Sequence, residues 1–340
     1  MNTPLVPALR DIEILFRPFL HRKLPLRGRI VMSSPPDTTP NTPEQTISYY
    51  QQRALHNIAL IITKPLAITS PAAGLSEQEL GFGNGHFLRF QKQLCRATHA
   101  MDCKIAAQLY HAGMARNPQN TAFSPSGINP VTGKKEGAAL SKQDIAEIAA
   151  AFGQAAAQAK VLGFDAIEIQ GSGGFLIEQF LWPDTNHRHD EYGGSLLARA
   201  RFAAQIIQRV RKAVGRNYPI IFKFSQWKTG ADTPALTQNA HELAELLHMF
   251  CDAGVDIFHC AATHFARPAL PGSALTLAAW VRLLTGKPTI CTGSIGSLAP
   301  QSHLFNGLIL MLHTHAVDLI ALNHTLHHSP NWATALRSGQ

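Results

Sequence analysis

Short apolar runs alternate with longer amphipathic stretches along the whole chain. Eight runs have the length of strands, and they span residues 30–34, 59–64, 104–109, 166–171, 219–225, 257–261, 289–293 and 319–323. Most of these runs are continuously apolar rather than alternating, which is typical of parallel strands that are covered on both faces. The pattern therefore predicts a parallel sheet whose strands are separated by helices.

The stretches between the runs carry helix start and stop signals. Ser141 is a good N-cap with Asp144 three residues later, and Gly163 ends the segment. A second helix is predicted to end at Gly254. The two apolar stripes consist of Ile145, Ile148, Phe152, Ala155, Ala159 and Leu162 in the first helix, and Leu243, Leu246, Leu247 and Phe250 in the second.

Three helix-to-strand junctions share one pattern. Residues 163–165 read GFD, 254–256 read GVD and 316–318 read AVD, and each triplet precedes an apolar run. This repeated αβ joint favours an α/β fold with a single parallel (β/α)8 TIM barrel, in one domain that spans residues 1–340. An open doubly wound sheet is the alternative, but no G-x-G-x-x-G follows the first run.

Two stretches are longer than ordinary connections of a barrel. Residues 111–140 form a loop rich in Pro, Gly and Asn after the third run, and residues 171–195 form another after the fourth. Long loops at the carboxyl ends of barrel strands usually form lids and ligand walls, so we expect both on the active face.

Composition narrows the functional classes. The chain is 45% apolar and 15% charged and has no apolar run of membrane-spanning length, and its first ten residues lack a signal-peptide pattern. The five cysteines, which have no metal-ligand spacing, are typical of free thiols in a cytoplasmic protein.

The net charge of +8 is dispersed along the chain, which favours an anionic small-molecule ligand over nucleic acid. The 17 histidines show no zinc-binding spacing, so we expect no metal site.

Polar residues stand where the predicted strands end, and that end carries the ligand in a barrel. A charge within a strand that is covered on both faces needs an anion or a site, which singles out Lys223. A buried amide needs partners, which singles out Gln108. The other residues of this set are Ser33, Ser34, Lys64, Tyr110, His111, Gln170, Ser225, Gly293, Ser294, Asn323 and His324.

Four passages carry a family resemblance. They are YYQQRA (49–54), AAQLYHAGM (106–114), GFDAIEIQGSGGFLIEQFLWPDTNHRHDEYGGSLLARARF (163–202) and FKFSQWK (222–228). In order and spacing the chain resembles the old yellow enzyme family of FMN-dependent oxidoreductases. The resemblance implies FMN across the barrel mouth, NADH or NADPH as reductant, and a small-molecule substrate with an activated alkene. It is also compatible with a homodimer.

The resemblance assigns roles on the cofactor side. Gln108 matches the glutamine that binds the flavin pyrimidine, and Lys223 stands where the family usually has an arginine near flavin N1. Lysine keeps that charge but loses the planar fork. Gly293 matches a glycine of the phosphate loop. The remaining cofactor-binding positions carry unusual residues, namely Ser34, Ser294, Asn323 and His324.

The substrate side departs further from the family pattern H-x-x-[HN]-G-Y. Gln170 replaces the first histidine that holds the substrate carbonyl, Gly173 replaces its partner, and Phe175 replaces the proton-donating tyrosine. The resemblance then leaves Gln170 to donate a hydrogen bond to the substrate carbonyl and Tyr110 as the replacement proton donor. His111 and Phe175 are expected to line the substrate site. We expect altered or reduced activity as an ene-reductase.

Two alternatives stay open on the sequence. One is an FMN-dependent, redox-neutral alkene isomerase, because hydride addition without a proton donor stalls and reverses. The other is a flavin-free barrel that acts as a cofactorless isomerase or lyase, or as a non-catalytic binding protein, because the phosphate-binding positions are altered.

Overall fold

Eight parallel strands close into a barrel in the computed structural model, which describes residues 11–35, 42–68, 82, 84–115, 123–228 and 235–339. Each strand pairs in parallel with the next, and the eighth pairs with the first, so the predicted (β/α)8 fold is confirmed. The strands are β1 (Ile30–Met32), β2 (Leu60–Ile62), β3 (Lys104–Tyr110), β4 (Ala166–Gly171), β5 (Ile220–Ser225), β6 (Ile257–Ala261), β7 (Thr289–Thr292) and β8 (Leu319–Leu322). The predicted bounds are correct for β4 and β6. Strand β3 is one residue longer than predicted, and the other strands are shorter by one or two residues at one or both ends.

Helices cover the outside of the barrel. Their bounds are α1 (Pro43–Leu55), α2 (Gly85–His99), α3 (Lys142–Leu162), α4 (Leu176–Leu181), α5 (Leu196–Val214), α6 (Ala240–Ala253), α7 (Leu277–Thr285), α8 (His303–His313), α9 (His324–His328) and α10 (Trp332–Ser338). None of the helices within the described ranges is long and apolar enough to cross a bilayer.

Helix α3 shows how local signals set these bounds. Ser141 and Asp144 form a capping box, in which each side chain binds the main-chain N–H of the other residue. Gly163 ends the helix with a φ of 103°, a left-handed conformation that favours glycine. The apolar stripe between them is buried except for Leu162, which is partly exposed.

The repeated αβ joint has a specific hydrogen-bonding role. At each of the three junctions, an aspartate just before one strand accepts a hydrogen bond from a main-chain N–H at the start of the strand before it. The pairs are Asp165 with Ile105 at 2.9 Å, Asp256 with Ile220 at 3.0 Å and Asp318 with Thr289 at 3.0 Å. The aspartates therefore hold β3 to β4, β5 to β6 and β7 to β8 at their amino-terminal ends.

The interior of the barrel is apolar at its amino-terminal end. An antiparallel hairpin of Phe19–His21 and Leu24–Leu26, which the sequence analysis did not predict, packs there. Its buried side chains join one cluster with inward-facing residues of the strands, including Val31, Leu60 and Leu319. This end is closed by the hairpin, so the polar side chains of the interior lie toward the carboxyl ends of the strands.

Candidate active site

A layer of polar side chains lies above the apolar floor of the barrel. Side chains alternate along a strand, so the residues two positions after inward-facing Ala106, Ala166, Ile221 and Ile257 also face inward. These residues are Gln108, Glu168, Lys223 and His259, which we call the polar layer. Gln108 is the register partner of Glu168, and Lys223 is the register partner of His259.

Two short hydrogen bonds connect the polar layer. Gln108 Nε2 donates to Glu168 Oε1 at 2.6 Å, and His259 Nδ1 lies 2.7 Å from Glu168 Oε2. These three side chains are fully buried, whereas Lys223 is partly exposed. The structure thus brings the two predicted residues Gln108 and Lys223 together, and it adds Glu168 and His259, which the sequence analysis missed.

Charges within the layer are coupled. Burial opposes ionisation of Glu168, but His259, Lys223 and Gln108 outweigh that effect and lower the pKa of the carboxyl. Burial lowers the pKa of His259, and its Nε2 atom has no hydrogen-bond partner among the described residues. A neutral His259 ring that donates from Nδ1 fits both observations, because a buried Nε2–H without an acceptor would cost free energy. Burial also lowers the pKa of Lys223, while Glu168 favours its charged form.

The carboxyl end of β4 presents the amide of Gln170 toward the barrel mouth. Gln170 Oε1 accepts hydrogen bonds from the hydroxyl of Ser172 at 3.0 Å and from its N–H at 3.4 Å. The oxygen end is therefore occupied, and the NH₂ end is the one that faces away from Ser172. Gly173 has a φ of 78°, and a Cβ there would lie 3.8 Å from Gln170 Nε2.

The predicted substrate-site residues lie beside this amide in the fold. Phe175 packs edge-on against Tyr110, with ring centroids 5.0 Å apart. Tyr110 and His111 are both buried, at 5% and 4% exposure. His111 Nδ1 accepts the N–H of Gly113 at 3.0 Å, so this ring also closes the turn after β3.

The predicted phosphate-side residues lie at the ends of three adjacent strands. Gly293 has a φ of 133°, and a Cβ there would lie 2.6 Å from the carbonyl oxygen of Ala262, so only glycine fits. The Ser294 hydroxyl donates to the carbonyl of Thr263 at 2.8 Å. After β8, Asn323 Oδ1 is buried without a partner among the described residues. His324 is exposed there, and Ser34 follows the neighbouring strand β1.

The longest family motif acts as scaffold. Arg188 donates to the main-chain carbonyls of Pro125, at 2.9 Å, and Leu140. Asn186 Nδ2 donates to the carbonyls of Phe180 and Tyr192, at 2.8 and 2.7 Å. The Arg188 bonds tie the loop after β4 to the loop after β3, and the Asn186 bonds hold the loop after β4 to its own neighbouring turns.

Comparison with known proteins decides the family. The model of the NADH:flavin oxidoreductase / NADH oxidase family matches residues 14–338. The chain belongs to this family. The old yellow enzyme resemblance is thereby confirmed, and so is the expectation of FMN with NADH or NADPH as reductant.

Relatives and solved structures agree with this assignment. The chain is 30% identical over 330 residues to an NADPH dehydrogenase from Clostridium acetobutylicum, covering 93% of this chain and 92% of that protein. It is 38% identical over 220 residues to a metal reductase from Desulforamulus reducens, covering 62% of this chain but only 32% of the relative. An Old Yellow Enzyme structure from a Pichia species has the same fold, with a TM-score of 0.76, 21% identity and coverage of 96% and 87%.

The residues of the polar layer fit a flavin ring. Gln108 Oε1 is a buried acceptor without a partner among the described residues, and a flavin pyrimidine offers an N–H donor to such an atom. Lys223, partly exposed in the same layer, suits the charge that a reduced flavin carries. The family cofactor therefore has matching groups in this chain.

Proposed function

We propose that the chain binds FMN above the polar layer and acts as an NAD(P)H-dependent oxidoreductase on an activated alkene, with altered or reduced activity. The observation that carries the proposal is the buried oxygen of Gln108, which has no partner within the described part of the chain and lies in the same layer as Lys223. A buried acceptor without a partner costs free energy, of order 1–3 kcal/mol, which a ring donor would recover.

Two sets of residues would hold the cofactor. Gln108 and Lys223 would bind the pyrimidine end of the ring. Ser34, the main chain at Gly293, Ser294, Asn323 and His324 would hold the phosphate end. FMN supplies the redox chemistry, because it accepts hydride from NAD(P)H and passes hydride to a substrate carbon.

The chain's own groups would act on the substrate. Gln170 would donate from its NH₂ end to the substrate carbonyl, oriented by the two hydrogen bonds from Ser172. A neutral amide withdraws less charge than an imidazolium, so the carbonyl would be less activated than in relatives that use histidine. Tyr110 would supply the proton, because Phe175 has none to give.

A titration tests the first part of the proposal. The purified protein is expected to be yellow, or to become yellow with one equivalent of FMN, and to lose its visible absorbance when NADPH or NADH is added without oxygen. A protein that binds no FMN at high concentration would favour the flavin-free barrel instead.

The redox-neutral isomerase is the second candidate, and Phe175 is the observation that favours it. Without a proton at the α-carbon, hydride addition would reverse after rotation about the bond between the α- and β-carbons, so the alkene would change its E/Z geometry without net reduction. Consumption of NADPH in proportion to product distinguishes the two reactions, since an isomerase consumes none.

A further inference from the structure

The amide of Gln108 can occupy two orientations that have nearly the same shape. One presents Oε1 away from Glu168, and the other presents the NH₂ group. In the structure the NH₂ group donates to Glu168 Oε1 at 2.6 Å. A flipped amide would place two acceptor oxygens at that distance, which is repulsive while Glu168 is ionised.

Glu168 is itself held in place. Its second oxygen lies 2.7 Å from His259 Nδ1, and both side chains are fully buried. Both carboxylate oxygens therefore have a donor, and rotation of the carboxylate would break two short hydrogen bonds without access to water. The cluster spans β3, β4 and β6, so the rigid barrel fixes the spacing of its members.

We propose that Glu168, held by His259, is a positioning residue that fixes the Gln108 amide with its oxygen toward the flavin. The inference rests on the proposed FMN site. A flavin pyrimidine has one N–H between two carbonyl groups, so an amide oxygen opposite that N–H makes a hydrogen bond and an amide NH₂ meets a donor. Glu168 and His259 would not touch the cofactor and would act through Gln108 alone.

A double-mutant cycle tests this role in the whole chain. The dissociation constant of oxidised FMN is measured by fluorescence quenching for wild type, Gln108→Met, Glu168→Met and the double variant. Each single substitution is expected to weaken binding about fivefold, the size of one net hydrogen bond. Glu168→Met is expected to add almost nothing in the Gln108→Met background, because no amide is left to orient.

The outcomes separate the proposal from the site on which it depends. Wild-type protein that binds no FMN, or Gln108→Met protein that binds FMN as tightly as wild type, would overturn both. An effect of Gln108→Met without one of Glu168→Met would overturn the positioning role only. Additive effects would assign Glu168 a general role in charge or packing, which also contradicts the proposal.

Variants of His259 give a second measurement if Glu168→Met fails to fold. His259→Asn keeps an N–H donor for Glu168 and is expected to bind FMN close to wild type. His259→Leu removes the donor and is expected to weaken binding several-fold. The melting temperatures of the FMN-free proteins serve as the control, since a purely structural role would lower them without the difference in FMN affinity between the two variants.

Discussion

The loop after β4 has a first part before α4 and a second part after α4, and the two parts use their side chains in different ways. Arg188 and Asn186, in its second part, each bind two main-chain carbonyls of neighbouring segments. Gln170, just before the first part, is hydrogen-bonded by its own neighbour Ser172. The second part is held to neighbouring main chain by its own side chains, while the first part would present groups to a ligand under the proposed function. Changes in the first part are therefore expected to alter the chemistry and to leave the scaffold in place.

The largest expected effect concerns Tyr110, the proposed proton donor at the end of β3, which packs against Phe175 in the first part of the loop. Tyr110→Phe is expected to lower the rate of alkene reduction about 100-fold, as for loss of a general acid, with flavin reduction by NADPH unchanged. Phe175→Tyr in that background is expected to restore much of the rate, because its ring lies 5.0 Å from the ring of residue 110. Steady-state NADPH consumption with 2-cyclohexenone measures both. An unchanged rate in Tyr110→Phe would show that the proton comes from elsewhere.

A change in the second part is expected to act on stability instead. Arg188→Ala removes the hydrogen bonds to Pro125 and Leu140 and the ion pair with Asp190. The free energy of unfolding is expected to fall by about 2–3 kcal/mol, because the side chain is mostly buried and its bonds are charge-assisted. Urea unfolding measures the change, with exposed Arg209→Ala on α5 as the matched control. Equal effects of the two substitutions would contradict the scaffold role.

The titratable groups of the polar layer are expected to make the free energy of unfolding depend on pH. The pKa of His259 is lowered from 6.5 in the folded chain, so below that pH the unfolded chain takes up a proton that the folded chain excludes. Stability is therefore expected to fall as the pH drops from 7 toward 5, by at most about 1.4 kcal/mol per pH unit for this proton. The lowered pKa of Glu168 acts in the same direction at lower pH.

His259→Asn, which does not titrate, is the comparison for this pH dependence. Its free energy of unfolding is expected to change less than that of wild type between pH 7 and pH 5. Parallel curves for the two proteins would mean that His259 is not the group responsible.

The smallest expected effect concerns the orientation of Gln170. Ser172→Ala removes the hydroxyl that donates to Gln170 Oε1 at 3.0 Å but keeps the weaker main-chain contact. The KM of a carbonyl-bearing alkene is expected to rise about threefold, within the range of one neutral hydrogen bond. Ser172→Thr keeps a hydroxyl and is the control. A KM that is the same in all three proteins would show that Ser172 does not orient the amide.

The sequence predicted the parts of the fold that depend on local signals. The capping box at Ser141 and the left-handed end at Gly163 set α3, and the three aspartates of the repeat mark real junctions. The hairpin at Phe19–His21 was missed because two strands of three residues carry too little pattern. The barrel itself followed from continuous apolar runs, since parallel strands covered on both faces need them.

The site was predicted less completely. Gln108 and Lys223 were found because polar groups in apolar runs need partners, and the same argument applied to Glu168 and His259 would have found the whole layer. What the sequence could not supply is which strands face one another, because Glu168 and His259 are 91 residues apart. Only the closed barrel brings them within hydrogen-bonding distance.

The central claim is that the chain keeps its flavin chemistry while the residues that act on the substrate have changed. Anaerobic mixing followed by visible absorbance tests this claim most directly. The FMN-loaded protein is expected to bleach when NADPH or NADH is added. The colour is then expected to return slowly with 2-cyclohexenone, and faster in the Phe175→Tyr variant. A protein that does not bleach, or a colour that returns at the same rate in wild type and variant, would contradict the account.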